Sequence, residues 1–64
     1  MRISVVVRFL AETDGAYRYR EIDSDGVAIH GDREGASIGD IYLRKAAMQG
    51  ELPKQLRIVI EEFR

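Results

Sequence analysis

The chain has 64 residues, ten Lys and Arg against eleven Asp and Glu, a formal net charge of −1, one histidine and no cysteine. This excludes disulfide staples and thiolate metal centres, and it is not the strongly basic balance of a general nucleic-acid coat. A single domain over residues 1–64 is expected; it would bury only ~60% of its unfolded surface, which leaves a partner subunit as the remaining staple.

Along residues 2–10, Ile3, Val5, Val7 and Phe9 alternate with Arg2, Ser4, Val6 and Arg8. Period 2 with β-branched residues predicts a strand whose second face is only partly polar, because of Val6. Glu12-Thr13-Asp14-Gly15 is turn chemistry, and Asp-Gly between two alternating runs signals a hairpin. Residues 16–22 then read as a second strand, with Tyr17 and Tyr19 on one side and Arg18 and Arg20 on the other. Asp23-Ser24-Asp25-Gly26 is a second turn, Val27-Ala28-Ile29 a short strand ended by His30-Gly31, and Asp32-Arg33-Glu34-Gly35 an exposed loop.

Residues 38–49 admit two readings. Ser37-Ile38-Gly39-Asp40 resembles a capping box and Gly50 a helix stop, which would give a helix over 38–49 and a ββαβ, α+β fold. The helix would spread Asp40, Arg44, Lys45 and Gln49 over half its circumference. A strand over 38–45 is tidier: Ile41 and Leu43 face in, Asp40, Tyr42 and Arg44 face out, and a short helical turn follows near 46–49. Pro53 cannot donate to a ladder, so the last strand starts after it, over 55–63, with Leu56, Ile58 and Ile60 opposite Arg57, Val59 and Glu61.

The sum is a mainly β fold: a small antiparallel sheet or partly closed barrel of four or five strands. Its core candidates are Ile3, Val5, Val7, Phe9, Ile41, Leu43, Leu56, Ile58 and Ile60. One such sheet needs a cover, and Val6, Val59 and the tyrosine pair add apolar surface on opposite parities. Closure of the sheet or a partner is therefore expected.

Residues suited to chemistry are few. His30 has Asp25, Asp32 and Glu34 nearby in sequence, and Ser24 or Ser37 would supply a hydroxyl, but a loop spacing does not define a nucleophile, base and orienter. A solvated loop histidine is the simpler expectation. A chain this short also rarely encloses the ~300 Å³ that a substrate pocket takes. Glu21, Asp23 and Asp25 before Gly26 resemble the start of a calcium loop, yet Val27, Ala28, Ile29 and Gly31 are wrong for one, and an ordinary Asp-Gly turn is expected. Gly31, Gly35 and Gly39 lack the Gly-Lys-Ser/Thr signature of a phosphate cradle. Neither a catalytic residue, a metal ligand nor a cofactor site is therefore assigned.

The most suggestive cluster is Tyr17, Arg18, Tyr19 and Arg20 with Tyr42, Arg44 and Lys45. Single-stranded nucleic acids are bound by aromatic platforms beside a basic groove. Strict alternation, however, separates the segment's own tyrosines from its arginines, and the simpler reading packs Tyr17 and Tyr19 over the core with Arg18 and Arg20 in water. Charge is also unevenly spread: residues 21–40 hold six acids against Arg33.

Three functions follow in order. The first is a non-enzymatic interaction module, associating with itself or a protein partner through strand edges or an apolar sheet face. The second is single-stranded nucleic-acid binding through the seven Tyr, Arg and Lys residues. The third is binding of a small anionic or nucleotide-like ligand at a subunit interface. With 45% apolar residues, no apolar run near the ~18 residues of a membrane span and no signal-peptide pattern at the start, a cytoplasmic, non-membrane protein is expected.

Overall fold

The computed structural model describes residues 1–29 and 34–64. Four strands form one antiparallel sheet: β1 (Arg2–Glu12), β2 (Ala16–Ile22), β3 (Asp40–Arg44) and β4 (Gln55–Glu61), in the spatial order β3-β2-β1-β4. The sheet curls into a half-barrel. A 3₁₀ turn, Lys45–Ala47, follows β3. The helix over 38–49 does not form. Its stretch is extended through Asp40–Arg44, where pairing with β2 puts the β-branched Ile41 and the aromatic Tyr42 in the conformation that suits them.

The central strand is the longest, and its neighbours are staggered. β4 pairs with Arg2 to Arg8 of β1, and β2 pairs with Val6 to Glu12, so within β1 only Val6, Val7 and Arg8 have strand partners on both sides. The stagger puts Val7 at the centre, fully buried. The β1–β2 register slips by one residue between Phe9 and Ala11, a bulge at Leu10. The hairpin closes through Thr13: its N–H donates to the Ala16 carbonyl and its Oγ1 accepts from the Ala16 N–H. Gly15 is not at positive φ, so this hairpin is not built on the type I′ turn that Asp-Gly most favours.

Alternation sorts the side chains as the pattern requires. Ile3, Val5, Val7 and Phe9 of β1, Tyr17, Tyr19 and Glu21 of β2, Ile41 and Leu43 of β3, and Leu56, Ile58 and Ile60 of β4 share the inner face. All nine expected core residues are on it, but only Val7 is fully shielded; Ala16 and Tyr19 complete the buried apolar set. The Val27-Ala28-Ile29 segment makes one bridge, Ala28 to Ile22, and not a strand.

Residues 45–54 connect β3 at one edge of the sheet to β4 at the other. The chain is fastened there by the Tyr19 hydroxyl donating to the Pro53 carbonyl at 2.8 Å and the Phe9 N–H donating to the Lys54 carbonyl at 2.8 Å. No helix among the described residues is long and apolar enough to cross a membrane.

Candidate functional site

The outer face of the sheet collects arginines. Arg2 and Arg8 of β1, Arg18 and Arg20 of β2, Arg44 of β3 and Arg57 of β4 share it with Tyr42, and among the described residues only two carboxylates, Asp40 and Glu61, stand with them. Arg8 lies directly opposite Arg20, an arrangement that costs free energy in a sheet unless an anion sits between the pair. Asp40 of β3 engages Arg20 from the side away from Arg8. Its Oδ1 accepts from Arg20 Nε at 2.8 Å and its Oδ2 from Arg18 Nε at 2.8 Å, with further bonds from both guanidinium ends.

This chelation is charge-assisted and partly shielded from water. The Arg20 guanidinium is the largest influence on Asp40; it and Arg18 together outweigh the cost of burial and hold the carboxyl at about 2, below its ordinary 3.8. The bond to Asp40 in turn pushes the Arg20 pKa up, against the desolvation that lowers it. Arg18 also sits 5.9 Å from the centroid of the exposed Tyr42 ring, in cation–π range. Arg2 is paired with Glu61. Arg8, Arg44 and Arg57 have no acidic partner among the described residues.

The seven residues singled out in the sequence are thus divided. Arg18, Arg20, Tyr42 and Arg44 come together on the outer face. Tyr17 and Tyr19 lie on the inner face, where both rings meet Phe9 edge-on at 6.3 and 5.9 Å. Tyr19 is fully buried, and burial, with a smaller contribution from Tyr17, raises its phenol pKa. Lys45 belongs to the inner side, 5.5 Å from the Tyr17 ring centroid and paired with Glu12 at 2.6 Å. Arg18 and Arg20 are not simply solvated, because Asp40 crosses from β3 to hold them. Arg8 and Arg57 also belong to the outer face, outside the seven. Their parity was legible, but which strands neighbour one another was not.

The other polar feature is Glu21, which alternation places on the inner face beside Tyr19. Its carboxylate is 3% exposed and accepts the backbone N–H groups of Ser37, Ile38 and Gly39 at 2.8–3.0 Å. Burial pushes its pKa up, and the three donors more than offset this, leaving it below the ordinary carboxylate value. The donors converge because Gly39 takes φ of +74°, a left-handed conformation that side-chain-bearing residues seldom adopt. Glu21 is therefore a structural anchor for residues 37–39. Asp23 is a turn residue: its Oδ1 accepts from the N–H groups of Asp25 and Val27, both at 2.9 Å. No group of three or more metal-ligating side chains occurs among the described residues. His30, Gly31, Asp32 and Arg33 lie outside them.

The third feature is the inner face at the β4 side. Ile3, Val5, Leu56, Ile58 and Ile60 are only half-buried there, and Val59 on the reverse face is exposed. β4 is an edge strand, so one row of its backbone groups has no neighbour in the sheet. Comparison with protein-family models, curated proteins and solved structures finds no match, so these three features carry the functional reading.

Proposed function

We propose that the protein is a non-enzymatic binding module that associates with itself through its sheet. One observation carries this. The chain exposes 4977 Å², whereas a compact monomer of 7.3 kDa exposes about 4,200 Å². The excess, about 800 Å², matches what one partner contributes to a standard protein interface. The shape agrees: the radius of gyration is 12.2 Å, against about 10.7 Å for a compact chain of this length. The molecule is flattened, 32 × 30 × 18 Å, and a single sheet leaves an apolar face in need of a cover.

Size-exclusion chromatography with light scattering tests the reading. The expected result is an oligomer at tens of micromolar protein. A monomer there would overturn it.

A second reading is supported by the outer face, which Arg8, Arg18, Arg20, Arg44 and Arg57 share with the exposed Tyr42. This is a basic surface with one stacking platform, suited to single-stranded nucleic acid. Oligonucleotide affinity should be greatest at low salt and fall as salt rises, and Tyr42→Ala should weaken it. Undetectable binding at low salt would end this second reading.

A further inference from the structure

We infer that β4 pairs antiparallel with β4 of a second copy, about a two-fold axis passing through Val59, so that the two sheets join into one of eight strands. The inference rests on the self-association proposed above and names its seam.

The phase of the ladder shows which backbone groups are available. Lys54 accepts the Phe9 N–H and Met1 accepts the Glu62 N–H. Hydrogen-bonded and non-bonded pairs alternate along an antiparallel ladder. The even-numbered residues of β4 therefore turn their N–H and C=O groups to β1, and Gln55, Arg57, Val59 and Glu61 turn theirs outward. No partner for these outward groups occurs among the described residues. The edge also lacks three of the usual guards against pairing: a proline, a bulge and a lysine. Pro53 lies before the strand, no bulge interrupts the register from Gln55 to Glu61, and β4 contains no lysine. Val59 is 43% exposed in the middle of this edge.

Charge selects the register. A two-fold at Arg57 would set two arginines opposite each other. A two-fold at Ile58 would leave Arg57 against Val59 and Gln55 against Glu61. A two-fold at Val59 sets Arg57 against Glu61 of the partner subunit twice, and opposite charges are favoured directly across a ladder where like charges are not. Arg57 lacks an acidic partner among the described residues, and Glu61, 55% exposed and bonded to Arg2, keeps a second carboxylate oxygen for it. The same register sets Ile58 against Ile60 of the partner subunit on the inner side, so the half-buried apolar faces of the two copies become continuous. It is also isologous, the contact type that closes a dimer instead of growing a filament.

The other edge is a poorer seam. β3 has only five residues, two fewer than β4.

The test uses charge reversal in the full chain, followed by light scattering and circular dichroism. Arg57→Glu alone and Glu61→Arg alone each place like charges at both contacts, and each should raise the dimer dissociation constant at least tenfold. Mixed in equal amounts, the two variants present opposite charges at both contacts and should recover dimer. Because the chain has no cysteine, Val59→Cys adds an independent readout: mild oxidation should cross-link it across the axis far faster than Tyr42→Cys on β3. A wild-type dimer that withstands both reversals and cross-links faster at position 42 would overturn the β4 seam and leave self-association standing. A wild-type monomer would overturn both.

Discussion

At one end of the sheet, Val7, Tyr19 and Glu21 are almost wholly shielded; at the other, Ile3, Val5, Ile58 and Ile60 of the same face are only half-buried. The first end is closed by the chain itself. Pro53 and Lys54 of the long connection dock on Tyr19 and Phe9, and Glu21 draws residues 37–39 down onto β2. The second end has β4 on one side and bare backbone beyond it. The difference shows how a short chain divides its resources. It has enough loop to finish one end of a core, and the other end is left as surface that a second copy would cover.

Perturbations of the closed end should be costly in the monomer, and those of the open end should act mainly on association. The largest effect is expected for Glu21→Ala, which strands three backbone donors in a shielded site; a loss of about 3 kcal/mol in unfolding free energy is expected from chemical denaturation. That is a large share of the whole stability of a domain this size. Val7→Ala removes methyl groups from a fully buried position between two strands and should cost about 2 kcal/mol.

Acid should act at the same end. Asp40 titrates at about 2 in the folded chain against 3.8 ordinarily, and Glu21 is also depressed. Below the unfolded values the unfolded chain binds more protons than the folded one, so this stability is fully present only above about pH 5.5 and is lost progressively as pH falls toward 2. For Asp40 alone the loss is about 2 kcal/mol. Asp40→Asn should remove most of this pH dependence in thermal melts, and an unchanged slope would count against the Arg18–Asp40–Arg20 chelate as a source of stability.

Tyr19→Phe, which deletes only the bond to Pro53, should cost about 1 kcal/mol. The smallest effect on the monomer is expected for Ile60→Ala. Although it removes more side chain than Val7→Ala, its site is already half-open to water, so a cost below about 1 kcal/mol is expected in dilute solution. Its effect should appear instead as weaker dimerisation. If Ile60→Ala destabilised the dilute monomer as much as Val7→Ala, the two ends would not differ as described.

Much of this fold was legible because period-2 alternation is a local signal. The inner faces of β1, β3 and β4 were readable residue by residue, and so was the placement of Tyr17 and Tyr19 away from Arg18 and Arg20. What depended on strand order was not legible. Nothing local says that β4 lies beside β1, so Arg57 was not seen to join Arg8, nor Asp40 to reach both β2 arginines. Glu21 shows the opposite error. Alternation already placed it beside Tyr19 on the apolar side, but its neighbours Asp23 and Asp25 made it look like one more acid of a solvated turn.

Amide hydrogen exchange as a function of protein concentration tests the open end most directly. The N–H groups of Arg57, Val59 and Glu61 point away from β1, whereas those of Leu56, Ile58 and Ile60 point toward it. Pairing of two β4 strands predicts that the first set is protected at high concentration and exchanges freely on dilution, while the second changes far less. Rapid exchange at positions 57, 59 and 61 at every concentration would contradict the account.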